Sequence, residues 1–439
     1  MGTGTATDYW RLTFDEDGAP LGADPTALIA RIQDSGVQDL FVMSHGWNND
    51  QTQAENLYAG MFSLIRAARQ TSPSFGFLGV FWPSVWFPDP PADDAAQVAA
   101  AVQANAPGQA DIALSGAQIA TSLAASLPDH ADALHHMGAL VDQGVAAVLS
   151  GTPTDHSAAL DQFHSLFQTV FAAPAQPEED SGENRLLTAA NPTAAYEQVA
   201  QVMGSAPPAG DAQDIGDIFG KIWNGAKDAL RIGSYYTMKA RAGTIGTKGL
   251  GPFLTTLHNT CPTLAVHLIG HSFGARLVSY ALAGIPSPDA SPVCSLNLVQ
   301  GAFSHWCFTP ETANPFGNAG GLSDMTDRVH GPFTATFTSS DWAVGIWYPK
   351  ASCLAGQDSQ DYVGPGRWSG MGADGYQGST PSMDLTLPLP AGQALAAGTF
   401  YRVDANGVIA DTGQSAFAGA HSDILHPEVA ELIATAASI

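Results

Sequence analysis

A chain of 439 residues, 45% hydrophobic and only 13% charged, is long enough for a large core and more than one domain, and too apolar to stay disordered. Its net charge of −25, from 16 basic and 41 acidic residues, argues against nucleic acid as a partner, because phosphates would be repelled. Four widely spaced cysteines, Cys261, Cys294, Cys307 and Cys353, form no C-x-x-C pair, which argues against a metal knuckle and leaves their pairing open. No run of 18 apolar residues is present, so no segment reads as an integral membrane span. The opening MGTGTATDYWRL lacks the basic-then-apolar pattern of a secretion signal, so a cytoplasmic location is expected unless a leader has been removed.

In chain order, Asp8 to Phe14 alternates and ends in the turn signal Asp15 to Gly18, an edge strand and hairpin. Asp15 and Asp17 hint at calcium, but the rest of a binding loop is missing. Thr26 to Ser35 reads as a short helix. Leu40 to Met43 reads as a buried strand running into Ser44-His45-Gly46-Trp47-Asn48-Asn49-Asp50. Ala54 to Arg69 is an amphipathic helix with Leu57, Met61, Leu64 and Ile65 on one face. Phe75 to Phe81 is the next strand, closed by Trp82-Pro83-Ser84.

The alternation then stops. From Val85 to Arg231 Ala-rich helical segments follow one another, at 93–105, 111–126, 129–150, 156–171, 193–204 and 214–230. Linkers rich in Pro, Gly or acidic residues separate them, as at 173–184 and 204–210. So long a connection between two strands is no ordinary loop. We read 85–231 as an inserted helical cap, and 1–84 with 232–439 as an α/β core. His135, His136 and His164 in the insertion read as solvated or satisfied, since no second pair has metal-site spacing.

Helices at Ser234 to Arg241 and Gly251 to His258 lead to the stretch on which the chain turns. Leu264 to Ile269 is an apolar run suited to a doubly buried strand, and Ala275 to Leu282 has helical spacing. Between them stands Gly270-His271-Ser272-Phe273-Gly274. G-x-S-x-G alone is a weak pattern in a chain with 46 glycines. Strand, tight serine turn and helix together make the context of a nucleophile elbow. Further strands are expected at Leu296 to Val299 and Phe333 to Phe337, and a Gly-rich irregular stretch at Asp358 to Gly378. Thr399 to Val403 and Val408-Ile409 flank Asp404-Ala-Asn-Gly407, a hairpin signal, and Pro427 to Ala436 is a final helix.

A serine hydroxyl needs a base, and imidazole suits neutral pH. In a parallel sheet the partners belong after strands, in the order serine, acid, histidine. His421, in Gly419-Ala-His-Ser-Asp-Ile-Leu, is preferred to His426, which directly precedes Pro427. Asp341 follows the best downstream strand. Asp341 is preferred as the acid; Asp324 and Asp327 precede the strand and are the alternatives, and a helix N-cap is the non-catalytic role open to Asp341. Oxyanion donors are expected from the N–H groups of Phe273 and Trp47, with Gly46 freeing the backbone and Asn48 holding the loop. His45 reads as structural. His271 and Trp342 complete the site lining.

These stretches, HGWNND at 45–50, GHSFGAR at 270–276, SSDWAVG at 339–345 and GAHSDI at 419–424, carry a resemblance. The chain resembles serine-dependent α/β-hydrolases of the esterase and lipase group, and more loosely uncharacterised bacterial serine-esterase-like hydrolases. The likeness covers 1–84 and 232–439. It implies the α/β-hydrolase fold, a mostly parallel central sheet with crossover helices. It also implies a cap over the site and hydrolysis of a small-molecule or polymeric carboxylic ester through an acyl-enzyme. No metal or organic cofactor is expected. Fold and motif do not fix the substrate. A serine peptidase or amidase, or a catalytically idle protein binding under the cap, are the other readings. The natural ester and the oligomeric state are not legible.

Overall fold

The runs Asp39–Ser44, Ala265–His271 and Val293–Val299 are buried on both faces, and all three lie at the centre of one sheet. A computed structural model describes residues 9–22, 24–47, 49–69, 74–84, 115–151, 156–171, 186–203, 215–315, 317–347, 369–413 and 418–438. Nine strands form the sheet: β1 Trp10–Phe14, β2 Pro20–Leu21, β3 Asp39–Ser44, β4 Phe75–Phe81, β5 Ala265–His271, β6 Val293–Val299, β7 Phe333–Phe337, β8 Ser382–Thr386 and β9 Phe400–Asp404. Their order is β2-β1-β4-β3-β5-β6-β7-β9-β8. Every pairing is parallel except β1 with β2. Parallel neighbours require crossovers, and helices supply them on both faces.

Successive strand side chains point to opposite faces, so each strand feeds two cores. Leu40, Val42, Val266, Leu268, Leu296 and Leu298 pack with helix α1 (Pro25–Ser35) and the helices that precede and follow the serine. Phe41, Met43, Ile269 and Val403 pack with α2 (Gln51–Ala68) and the last helix. Asp50 caps α2 through a reciprocal bond set with Gln53. The buried face of α2 is Ala54, Tyr58, Met61, Phe62 and Ile65; Leu57 and Leu64, expected inside, are half-buried at its margin.

The insertion is helical where described. It comprises α3 (Gly116–Ser126), α4 (Ala131–Ser150), α5 (His156–Val170), α6 (Pro192–Met203) and the start of α7 (Ile215–Ile245). The helix expected at 93–105 and the linkers at 173–184 and 204–210 lie outside the described residues, as do Cys353 and the stretch 358–368. His164 Nδ1 lies 2.8 Å from the Tyr196 hydroxyl, while its buried Nε2 has no hydrogen-bond partner among the described residues. α7 is one helix of 31 residues, where the sequence suggested two; the boundary at 231–232 falls in its middle. The apolar cluster is also continuous from Ile119, Leu123 and Trp223 in the insertion to Phe273 and Leu277 beside the serine.

After α7 come a π-helical turn at Gly246–Leu250, α8 (Gly251–Thr260), β5 and α9 (Phe273–Ala281), and the chain ends in α10 (Pro427–Ala436). Two readings need correction. β1 is second from the sheet edge, since β4 pairs on its other side. Asp404 to Gly407 makes no hairpin: β9 lies between β7 and β8, parallel to both, and Val408 only closes a turn onto the Ala405 carbonyl at 2.9 Å. Asp15 Oδ1 accepts the N–H groups of Asp17 and Ala19, the ordinary work of a turn aspartate. Among the described residues no helix is long and apolar enough to cross a membrane.

Candidate active site

Ser272 stands where β5 ends and α9 begins, with φ 57° and ψ −125°, a strained left-handed backbone for a residue with a Cβ. Its turn is tied down on both sides. Ser272 N–H donates to the Val299 carbonyl at 3.3 Å, and its own carbonyl accepts from Ala275 and Ala302, each at 3.1 Å. The two flanking glycines are required by close approach. A Cβ at Gly270 would meet Ala275 N at 2.5 Å, and one at Gly274 would strike the carbonyl oxygens of Ser44 and His45. The start of α9 therefore packs directly on the end of β3. Ser272 is the N-cap of α9, yet its side chain makes no cap bond.

The loop after β3 lies against this turn. A Cβ at Gly46 would stand 3.0 Å from Ser272 Oγ and closer to its Cβ. His45 organises the loop. Its Nδ1 lies 2.9 Å from the Gly46 carbonyl and so carries the proton, while Nε2 accepts from Trp82 N at 3.4 Å. Burial pushes this imidazole down to about 4, against the pull of the Gly46 carbonyl, so it is neutral at physiological pH. Tyr58 accepts the His45 N–H at 2.9 Å and donates to the Val80 carbonyl. In a trans peptide C=O and N–H point oppositely, so Trp47 N–H faces away from the His45 ring. Asn48 lies outside the described residues. Asn49 holds the loop, donating to the carbonyls of Gly46 (3.3 Å) and Trp47 (3.1 Å).

Asp341 lies four residues beyond β7 and is fully buried. Its carboxylate is divided between two tasks. Oδ1 accepts Val344 N–H at 3.0 Å, the capping role that was its non-catalytic alternative, and Oδ2 accepts from His421 Nδ1 at 2.7 Å. With the proton on Nδ1, His421 Nε2 presents a lone pair. The two loops are clamped by an antiparallel bridge between Asp341 and Gly419 and by Ala420 N–H on the Ser340 carbonyl at 2.8 Å. Gly419 has φ 61°, and a Cβ there would crowd the Trp342 ring at 2.7 Å, so Trp342 presses on the histidine loop. His271, next to Ser272, bonds through Nε2 to the His421 carbonyl at 2.9 Å, with the rings 4.9 Å apart. Ser272, Asp341 and His421 are thus gathered at the carboxyl ends of β5, β7 and β9.

The alternatives lie elsewhere. Asp324 and Asp327 sit in a 3₁₀ turn before β7, at the amino end, and Asp327 pairs with Arg328 at 3.1 Å. His426 pairs with Asp423 at 2.9 Å at the start of α10, and the other Asp423 oxygen accepts Ala410 and Asp411 N–H. A second Ser–His–Asp series does exist: Ser295 Oγ is 3.0 Å from His267 Nδ1, and His267 Nε2 is 3.5 Å from Asp39. It is buried at the amino ends of β3, β5 and β6, and Arg69 binds Asp39 at 2.5 Å, so no substrate reaches it.

Phe273 is the first residue of α9, where backbone N–H groups lack intrahelical acceptors and the helix dipole is positive. Its ring meets Trp47 (6.1 Å) and Tyr235 of α7 (5.1 Å), and those two meet each other (6.3 Å). Tyr235 and Tyr58 lie in no motif, whereas Asn49 stands within HGWNND, next to the Asn48 expected to hold the loop. Only the helical spacing of Tyr58 with Ala54, Met61 and Ile65 could have flagged either tyrosine. Among the described residues no group of three or more His, Cys, Asp or Glu could hold a metal ion.

Comparison with protein-family models, with curated proteins and with solved structures gives no match.

Proposed function

We propose that the chain is a serine hydrolase of the α/β-hydrolase fold that cleaves carboxylic esters. The observation that carries this reading is the strained Ser272 turn beside an imidazole whose tautomer is set by the buried Asp341 carboxylate. His421 Nε2 takes the Ser272 proton as Oγ attacks the ester carbonyl. The N–H groups of Phe273 and Trp47 hold the oxyanion. His421 then gives the proton to the leaving alcohol, and the acyl group stays on Ser272. A water, deprotonated by the same imidazole, releases the acid. His45 stays neutral and fixes the oxyanion loop; Trp47, Phe273 and Tyr235 form an aromatic wall suited to an apolar acyl group.

The test is hydrolysis of p-nitrophenyl esters of graded chain length, with p-nitroanilides alongside. A fluorophosphonate probe should label Ser272 and no other serine. Labelling of Ser295, or none at all in the folded protein, would sink the proposal; faster anilide cleavage would move it to amides.

Gly46 offers a sharper check. A methyl group there pushes on the Ser272 side chain and on the His271 carbonyl, 3.1 Å away. Gly46→Ala is expected to fold and to react with the probe roughly 100-fold more slowly, the effect of an ångström of misplacement. Unchanged labelling would mean that the loop yields and does not set the serine.

A further inference from the structure

Two histidines beside Ser272 are neutral and buried, and only one has a purpose assigned so far. His271 points its Nε2 at the main-chain carbonyl of His421, 2.9 Å away, so Nε2 carries the proton. Its other nitrogen, Nδ1, is buried and has no partner. An unmatched buried acceptor is unfavourable, and most side chains of similar volume would avoid it. The ring also lies 4.9 Å from the His421 ring. Apart from the Asp341 contacts, the described hydrogen bonds of the 418–421 loop run to backbone atoms, with Ser340, Trp342 and Ala343. Among the described hydrogen bonds, that from His271 ties the loop to the serine turn itself.

We propose that His271 is a positioning residue: its Nε2–H holds the His421 carbonyl and so sets the imidazole over Ser272. The kinetic arm of this inference rests on the serine-hydrolase reading; the structural arm does not. Burial pushes the His271 imidazole down to about 3, and the neighbouring His421 charge adds to the effect. The donor is thus a neutral N–H throughout the working range. It keeps its bond when His421 takes a proton and adds no like charge beside it.

Side-chain amides separate the two nitrogens of the ring. A glutamine places its NH₂ near Nε2, and an asparagine places it near Nδ1. His271→Gln is expected to keep kcat within a few fold. His271→Asn and His271→Phe should lower kcat roughly 10- to 100-fold with KM little changed, as a displaced base does. The independent readout is proton NMR of the far-downfield His421 Nδ1–H held by Asp341. That signal should survive in the Gln variant and broaden or vanish in the Asn and Phe variants. If Phe does not fold, the Gln and Asn pair decides alone. Retention of signal and rate in Asn or Phe, or their loss in Gln, would overturn the role of the Nε2–H. If the wild type cleaves no ester, the hydrolase reading falls, and the NMR comparison still decides whether His271 positions His421.

Discussion

Ser272→Ala is expected to abolish ester hydrolysis, by about 10⁴-fold or more, while leaving the fold intact. The serine side chain makes no cap bond to α9, and its backbone bonds to Val299, Ala275 and Ala302 do not depend on the hydroxyl. Stability should move the other way. At φ 57° any Cβ is strained, and strain of this kind is of order 1–3 kcal/mol. Ser272→Gly should therefore be inactive and more stable than wild type by about 1 kcal/mol, after allowing for the greater freedom of glycine in the unfolded chain. Urea unfolding beside ester turnover measures both. A glycine variant that is less stable would mean that the turn holds no strain; an active alanine variant would remove Ser272 from the chemistry.

Asp341→Asn should lower kcat by about 10⁴-fold, because an amide NH₂ facing His421 favours the tautomer with its lone pair on Nδ1. The division of labour within this carboxylate makes the test clean. The asparagine oxygen can still accept Val344 N–H, so the local turn survives while the bond to His421 is reversed, with the amide donating to Nδ1. Asp327→Asn should be near wild type, since Asp327 only faces Arg328 at the far end of the sheet. Comparable losses at both positions would point to a stability effect, and near-ultraviolet circular dichroism would show it. Full activity in Asp341→Asn would mean that the acid lies elsewhere.

The central strands were legible because burial on both faces leaves a mainly apolar stretch, and β4 and α10 lie where the pattern put them. β8 was missed for the opposite reason. Ser382–Thr386 is a sheet edge with most side chains exposed, so nothing in SMDLT announces a strand. The turn residues Asp404 to Gly407 misled because Asn406 serves another end. Its side-chain oxygen accepts from Thr338 Oγ1 and from Ser339 N and Oγ, bracing the segment that carries Asp341. A dipeptide preference reports a bend; it cannot report which neighbour the bend supports. Ser272, Asp341 and His421 could be ordered from strand-end logic alone. Tyr58 and Asn406 act through contacts distant in sequence, whereas Asn49 acts on Gly46 and Trp47 within its own loop.

The unbroken course of α7 bears on how the insertion can move. A helix of 31 residues is a rod about 46 Å long, and its later turns are fastened to the serine helix and to the end of β4. Arg276 Nε donates to the Lys239 carbonyl at 2.8 Å, and Arg241 reaches the Pro83 carbonyl at 2.9 Å. Bending at residue 231 would break main-chain hydrogen bonds in succession, so this junction is no hinge. The far turns of α7 and the turn that carries Ser272 are thus joined by continuous helix, with no break in it at the boundary of the insertion.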